Sequence, residues 1–189
     1  MNRQRIDALK LRKDNEAAVV EAACKGDSQA LAGLYERYYA TMVWVAYSVL
    51  LDRGLAEDAA QQAFATACAK LRGLRSPDRF GPWLTTICRN AAQDMARARR
   101  RDAALRKTAV TEESVQAASD GFDRAVKDAV DGLPPMYREV VVLHYYSDMS
   151  YAQIESALGI SGDKIKGRLA RARKQIQVRL EKEGFRQEQ

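Results

Sequence analysis

The sequence predicts an all-α fold: two small helical domains joined by a flexible linker, the second containing a helix-turn-helix. Aromatic residues make up only 7% of the chain, and Ala, Leu, Arg and Glu, which favour helices over strands, are abundant. Apolar residues recur at spacings of three and four, and no run shows the Val/Ile/Thr alternation of a half-buried strand. Composition changes abruptly after residue 101, where a stretch of Ala, Thr, Ser and mixed charge begins.

These changes divide the 189 residues into five segments. We predict an N-terminal extension over 1–13, a first domain over 14–101, a linker over 102–119, a helix-turn-helix domain over 120–184 and a tail over 185–189. The formal net charge is +6 over residues 1–101, −3 over 102–131 and +3 over 132–189. Two basic segments therefore flank an acidic one. The net charge of the whole chain favours a polyanionic partner.

The first domain is predicted to begin with a short helix from Glu16 that stops near Gly26, followed by a long helix capped by Asp27 or Ser28. Its apolar stripe comprises Leu31, Leu34, Tyr35, Tyr38, Met42, Val45, Val49 and Leu50. A turn is expected over 52–54. The next helix, LAEDAAQQAFATACAKLRGL, has an apolar side that comprises Leu55, Ala59, Ala63, Phe64, Ala67, Cys68 and Leu71.

The polar side of that helix gathers Asp58, Gln61 and Gln62 within one turn, which by itself indicates a solvated face. Gly73, Ser76 and Pro77 then mark a loop from Arg72 to Arg79. In the following helix, FGPWLTTICRNAAQDMARARRR, the residues expected to face inward are Trp83, Leu84, Ile87, Ala91 and Met95. Another side carries Asn90, Asp94, Arg97 and Arg101, and the end is strongly cationic, with Arg97, Arg99, Arg100 and Arg101.

The second domain restarts the helical pattern at Phe122, and Gly132 and the pair Pro134-Pro135 interrupt it before MYREVVVLHYY, predicted to be a buried helix. The pattern from Asp148 to Leu180 predicts two helices joined by a tight turn. Ser150 and Gln153 have capping-box spacing at the start of the first helix, and Gly159 ends it. Its apolar side comprises Ala152, Ile154, Ala157 and Leu158.

Ser161 is predicted to cap the second of these helices, whose buried stripe comprises Ile165, Leu169, Ala172, Ile176 and Leu180. The opposite side holds Asp163, Gly167, Ala170 and Lys174, flanked by Lys164, Lys166, Arg168, Arg171 and Arg173. An ordinary surface helix would mix charges of both signs, but residues 161–180 carry a net charge of +6. Such a helix suits a DNA major groove, where cations meet phosphates and small residues allow close approach to base edges.

The sequence argues against several other functions. Cys24, Cys68 and Cys88 lie far apart in helical patterns, so we interpret them as small core residues of a reduced protein, and His144 as a packed residue. There is no metal-ligand spacing, no nucleophile–base set and no glycine-rich phosphate loop, so we expect no metal, no cofactor and no enzymatic activity. With no signal peptide and no run of roughly 20 apolar residues, we expect a cytoplasmic protein without membrane insertion.

Taken in order, the motifs resemble the extracytoplasmic-function (ECF) sigma factors, the small two-domain specificity subunits of bacterial RNA polymerase. GDSQALAGLYERYY, AEDAAQQAF and FGPWLTTICRNAAQDMARARR resemble the first conserved domain of that family. LPPMYREVVVLHYYSDMSYAQIESALGIS followed by KIKGRLARAR resembles the second, so the similarity covers roughly residues 16–183. Each motif alone is weak, and the ordered set with an acidic linker is specific.

The resemblance implies that the chain binds core RNA polymerase and promoter DNA. The polymerase-binding residues would be Asp58, Gln61 and Gln62, docked on the clamp helices of the largest subunit. The loop from Arg72 to Phe80 would capture a base flipped from the minus-10 element, which requires a pocket that offsets a few kcal/mol of unstacking. The minus-10 set would be Arg75, Arg79, Phe80, Ile87, Asn90, Asp94, Arg97 and Arg100. The minus-35 set would be Lys164, Lys166, Gly167, Arg168, Ala170, Arg171 and Lys174.

The resemblance also implies that the linker would follow the RNA-exit path. An anti-sigma protein commonly binds members of the family, and the sequence leaves open whether one binds this chain. The chain departs from the family pattern at three places. Asp163-Lys164 replaces the usual Gly-Thr, Gly167 stands where a small polar residue is common, and Gln62 replaces an acid. We expect these departures to alter promoter preference and to leave activity intact.

Two other classes of function remain as alternatives. A sigma-like decoy would bind an anti-sigma protein and never recruit polymerase, but it would not need the basic helix or the arginine cluster. A free-standing helix-turn-helix regulator would bind DNA as a dimer, and it leaves the first domain unexplained.

Overall fold

A computed structural model describes residues 16–106 and 121–185, and every regular element in these two ranges is a helix. The predictions for the extension over 1–13, for linker residues 107–119 and for tail residues 186–189 lie outside the described residues. The predicted linker start at 102 is wrong, because residues 102–106 continue helix Phe80–Arg106. The all-α prediction is confirmed. The first domain consists of α1 (residues 16–24), α2 (Ser28–Leu50), α3 (Arg53–Lys70) and α4 (Phe80–Arg106). Two short 3-10 turns, Leu71–Gly73 and Pro77–Arg79, connect α3 to α4.

The core of the first domain forms where α2, α3 and α4 pack against one another. Asp27 caps α2 as predicted, its carboxylate accepting hydrogen bonds from the backbone of Gln29 and Ala30. On α3 the buried residues are nearly all alanines (Ala56, Ala59, Ala60, Ala63 and Ala67, with Phe64). Because alanine side chains are so short, the α3 backbone can lie close to both neighbouring helices.

Three details of the first domain differ from the sequence prediction. Asp52 is the N-cap of α3, with its side chain accepting a hydrogen bond from Leu55, so Gly54 is already helical and the turn is shorter than predicted. Cys68 is exposed, whereas Cys88 is buried and donates to the carbonyl of Met42. The inward side of α4 comprises Phe80, Leu84, Cys88 and Ala92, and the predicted inward set (Trp83, Ile87, Ala91 and Met95) is only half-buried apart from Leu84.

The second domain consists of α5 (Gly121–Asp131), α6 (Pro135–Val141), a π-helical turn (Val142–Tyr146), α7 (Tyr151–Leu158) and α8 (Gly162–Lys182). The capping box of Ser150 and Gln153 forms as predicted, and Gly159 ends α7 in the left-handed region with φ 65°. Ser161 occupies the N-cap of α8 without a side-chain cap hydrogen bond. Ala152 is exposed, and Ile165, Leu169 and Ala172 hold α8 against the core.

His144 lies half-buried in the π-helical turn, as predicted for a packed residue. Its Nδ1 atom is 3.2 Å from the carbonyl oxygen of Met149. Its ring centroid lies 4.9 Å from that of Tyr145 and 5.3 Å from that of Tyr151. Through these polar and aromatic contacts, the imidazole links the π-helical turn to the start of α7.

The two domains pack directly on each other, which the sequence did not predict. Residues of both domains form one continuous buried core. Across the seam, Arg89 on α4 pairs with Glu139 on α6 and donates to the carbonyl of Ala157. Trp44 on α2 stacks on Tyr146, with ring centroids 5.2 Å apart. The seam is thus held by an ion pair, a hydrogen bond and an aromatic stack.

Arg138 on α6 forms a buried polar contact of the seam, with only 3% of the residue exposed. Its Nε atom donates to the carbonyl of Ser48 at 2.7 Å, and Nη1 donates to the carbonyls of Asp131 at 2.7 Å and Leu133 at 3.2 Å. Ser48 lies in the last turn of α2 and Asp131 ends α5, and neither helix has a basic residue in its last turn. One guanidinium therefore satisfies carbonyls at the negative ends of two helices.

None of the helices described in residues 16–106 and 121–185 combines the length and apolar character that crossing a membrane requires.

We expect the substitution Arg138→Leu to lower the free energy of unfolding by roughly 3 kcal/mol or more, since it leaves buried carbonyls at both helix ends without a donor. Urea titration of the full chain, followed by circular dichroism, measures this. Arg124→Leu is the control, because Arg124 is exposed and pairs with Asp128 one turn away, so its loss should change stability by less than about 0.5 kcal/mol. Equal stability of the two variants would contradict the role given to Arg138.

Candidate nucleic-acid interface

The outward face of α8 combines exposed cations with small residues. Lys164, Lys166, Ala170, Arg171 and Lys174 are exposed, and Gly167 and Arg168 are half-buried. The face is fixed in direction because Ile165, Leu169 and Ala172, on the opposite side, are essentially inaccessible. The residues predicted for the minus-35 set therefore lie outside the buried stripe of α8, with half-buried Arg168 at the edge of that stripe. The helix can enter a groove without disturbing the packing that holds it.

A cavity of about 430 Å³ opens beside this face, between α8 and the start of α6. Its lining comprises Met136, Tyr137, Asp163, Lys164, Gly167, Arg168 and Arg171. Met136 is 50% exposed, although it is a large apolar residue. Sequence reasoning missed Met136 and Tyr137, because MYREVVVLHYY has the pattern of a buried helix and only the turn at Pro134 brings its start next to α8.

A second polar face lies along α4. Asn90, Asp94, Arg97 and Arg100 are exposed, and Ile87 is half-buried beside them. An Asp94 carboxylate oxygen lies 3.3 Å from Arg97 Nη2, an ion pair within one turn of the helix. Arg99 instead turns back to Asp52, the cap of α3, at 3.5 Å. The arginine cluster predicted at 97–101 is therefore divided between a solvent-facing part and a part that joins α4 to α3.

The loop before α4 presents cations and hides its aromatic residue. Arg75 and Arg79 are exposed. Phe80 is 1% exposed, and its ring packs edge-on against Tyr38 with centroids 5.4 Å apart. In this arrangement the Phe80 ring is inaccessible to a base, and its packing anchors the end of the loop.

Tyr38 supports this loop from below. Its hydroxyl donates to the carboxylate of Glu16 on α1, and burial together with that hydrogen bond raises the pKa of Tyr38. A side chain at Gly81 would place its Cβ 3.0 Å from the Tyr38 hydroxyl oxygen. A side chain at position 81 would therefore press on the Tyr38 ring, which would have to shift by a few tenths of an ångström.

The predicted polymerase-binding residues Asp58, Gln61 and Gln62 are all exposed on one turn of α3. The opposite side of that turn is anchored by Ala59, Ala60 and Ala63, which are fully buried. An ion pair between Arg53 and Glu57, 3.1 Å apart, lies beside the three polar side chains. The face is therefore rigidly positioned and open to a protein partner.

No group of His, Cys, Asp and Glu side chains within residues 16–106 and 121–185 could hold a metal ion. Burial raises the pKa of the Cys88 thiol to about 12, which keeps that thiol protonated at neutral pH. The described surfaces carry cationic side chains, side-chain amides and small residues. These groups suit the non-covalent binding of a partner.

Comparison with known proteins defines the class of this two-domain helical chain. Residues 34–102 match the family Sigma-70 region 2, and residues 123–176 match the family Sigma-70, region 4. The sigma factor CarQ of Myxococcus xanthus is 33% identical over 141 residues, which cover 72% of this chain and 80% of CarQ. The probable sigma factor RfaY of Xanthomonas campestris is 32% identical over 168 residues, covering 84% of this chain and 42% of RfaY. The ECF sigma factor SigW of Bacillus subtilis is 27% identical and is covered over 91% of its length.

Solved structures agree with the sequence matches. The sigma factor RpoE of Bartonella quintana, in complex with the anti-sigma factor NepR, superposes with a TM-score of 0.70 at 25% identity, covering 79% of this chain and 96% of RpoE. CnrH, in complex with the cytosolic domain of CnrY, gives a TM-score of 0.63 at 25% identity, covering 88% and 97%. The chain belongs to the extracytoplasmic-function sigma factors of RNA polymerase, which are transcription initiation factors.

We expect Gly81→Val to destabilise the fold by about 1 to 3 kcal/mol, because the branched side chain would press on the Tyr38 ring. Gly73→Val is the matched control, since Gly73 is exposed and a Cβ there meets nothing within 4 Å. Thermal unfolding of both variants measures the difference. Equal melting temperatures would show that the loop yields to the added side chain and that Tyr38 does not fix it.

Proposed function

We propose that this sigma factor docks on core RNA polymerase through α3, reads the minus-10 element with α4 and its preceding loop, and reads the minus-35 element with α8. One observation carries the proposal. The chain matches both sigma regions, and in each matched region a face combining cations with amide or small side chains is exposed. Both faces have the chemistry that phosphates and base edges require.

For the minus-35 element, α8 is the reading helix. Lys166 and Arg171 are exposed on either side of Gly167 and Ala170, at the centre of the outward face. Long cations of this kind pair with phosphates or with the O6 and N7 atoms of guanine, and small residues between them let the backbone come close. Lys164, Arg168 and Lys174 extend the positive surface along the helix.

For the minus-10 element, α4 and the loop act together. Asn90 and Asp94 are placed to meet base edges, with Ile87 beside them, while Arg97 and Arg100 contact phosphates. Arg75 and Arg79 line the loop that receives an extruded base, and buried Phe80 holds that loop against α2. The short route from loop to helix through Pro77–Arg79 keeps these groups on one side of the domain.

Asp58, Gln61 and Gln62 dock on the clamp helices of the largest polymerase subunit. Side-chain amides and a carboxylate on a rigid helix suit a polar, hydrogen-bonded protein interface. By analogy with RpoE, whose structure contains the bound anti-sigma factor NepR, an anti-sigma protein is a further partner. The chain acts without catalysis of its own, in the cytoplasm where the polymerase and chromosome lie.

Reading both elements at once requires the two domains to separate. The two elements lie about 25 base pairs apart by name, which is roughly 85 Å at about 3.4 Å per base pair. A compact chain of this size has a radius of gyration of about 15 Å. With its two domains packed together, the chain can therefore present the α4 face or the α8 face to DNA. It cannot reach both promoter elements at once.

The decisive experiment is run-off transcription with purified core polymerase on pooled genomic DNA, with and without the chain. New start sites that share two spaced motifs support promoter recognition. Tight polymerase binding without new transcripts would favour an accessory role, and neither activity would favour the decoy or the free-standing regulator.

We expect the double substitution Lys166→Glu with Arg171→Glu to reduce binding to the minus-35 element at least about 100-fold, because two cations on the reading face are reversed. Polymerase binding should persist. Lys25→Glu with Lys70→Glu changes the net charge equally at exposed positions in the first domain and serves as the control. Fluorescence anisotropy with labelled promoter DNA in the presence of core polymerase measures the DNA affinity of both variants. An equal loss of affinity in the control would mean that net charge alone determines binding.

We expect Asp58→Ala with Gln61→Ala to weaken binding to core polymerase about tenfold or more, because both side chains lie at the centre of the proposed interface. The midpoint of thermal unfolding should stay unchanged, since both are exposed. Asp123→Ala with Gln175→Ala removes an exposed acid and amide from the second domain as a control. Unchanged polymerase affinity in the first variant would place the docking surface elsewhere.

A further inference from the structure

We propose that the cavity at Gly167 receives the methyl group of one thymine of the minus-35 element, so that Gly167 and Met136 set base preference at that position. The inference rests on the proposed reading of the minus-35 element by α8. It adds a residue from α6 to the reading face and gives a chemical reason for a glycine inside a recognition helix.

The fold does not require glycine at position 167. The residue is helical with no left-handed φ, and an ideal Cβ would meet only Arg171 Nη1, at 4.0 Å. Glycine inside a helix costs about 0.5 to 1 kcal/mol relative to alanine. Gly33 in α2 has the same freedom, since a Cβ there meets nothing within 4 Å. What distinguishes Gly167 from Gly33 is the cavity of about 430 Å³ that it borders.

The lining of the cavity indicates what it binds. Met136, 50% exposed, and the Tyr137 ring give the lining its apolar part beside Gly167, and Asp163 contributes one carboxylate. Lys164, Arg168 and Arg171 bring positive charge to the same opening. The expected occupant therefore carries a small apolar group on a polyanion.

Among the groups on base-pair edges in the major groove, the C5 methyl of thymine is the apolar one. A bare phosphate would need the cations and gain nothing from the Met136 side chain. Filling the space at Gly167 with a side chain would close the approach between the α8 backbone and the base. The geometry thus selects thymine, with the cations holding the flanking phosphates.

The test compares thymine with deoxyuridine, which differs only by the methyl group. Full-length chain with core polymerase is assayed on promoters in which each thymine of the minus-35 element is replaced in turn by deoxyuridine. We expect one position at which deoxyuridine weakens binding about fivefold, the effect of one buried methyl group. In Gly167→Ala that discrimination should disappear, and in Met136→Ala it should fall, while Met136→Leu retains it.

Gly33→Ala is the matched control. Both glycine variants should unfold at higher urea concentration than the wild type, because each replaces a helical glycine with alanine, but only Gly167→Ala should lose the preference for thymine. If Gly167→Ala lowers stability, the glycine has a folding role and the inference fails. If promoter-specific transcription persists and no thymine shows discrimination, the inference fails while the proposed function stands. Absence of promoter-specific transcription in the wild type would overturn both.

Discussion

The guanidinium of Arg138 joins the ends of two helices from different domains, and it lies at the centre of the contacts that set the domains relative to each other. A buried cation is costly unless its charge and its hydrogen bonds are compensated. Here the compensation comes from backbone carbonyls at the C-terminal ends of α2 and α5, which carry partial negative charge and have no basic residue of their own in the last turn. Around Arg138, the seam also contains the ion pair of Arg89 with Glu139 and the aromatic stack of Trp44 on Tyr146.

This seam leaves the reading faces free. Asn90, Asp94 and Arg97 on α4 remain exposed, as do Lys166 and Arg171 on α8. On α4 the domain contact uses another side of the helix, since Arg89, next in sequence to Asn90, points into the seam. On α8 the buried side, which includes Ile165, packs within the second domain. Each helix therefore has one side that packs in the fold and one exposed polar side, as expected when a 3.6-residue period separates apolar from polar positions.

Local features of the fold could be predicted from the sequence. The capping box at Ser150 and the end of α7 at Gly159 depend on residues only a few positions apart, so their chemistry is visible in the chain. The predicted faces of α3, α4 and α8 are exposed for the same reason. Phe80, Met136 and Arg138 could not be placed this way, because their surroundings come from residues distant in sequence: Tyr38, the α8 face and the carbonyl of Ser48. Cys68 looked apolar by residue type, but it lies on the solvent side of α3.

On the proposed function, the stability of the seam sets how readily the chain can span a promoter. A binding-competent state that is only fractionally populated reduces apparent affinity by that fraction. Each 1.4 kcal/mol of seam stability therefore costs about a factor of ten in promoter affinity unless another contact opens the domains. Docking on polymerase can supply that energy only if it favours the separated domains. The buried guanidinium that orders the free protein would then also keep it from engaging both promoter elements before it meets the polymerase.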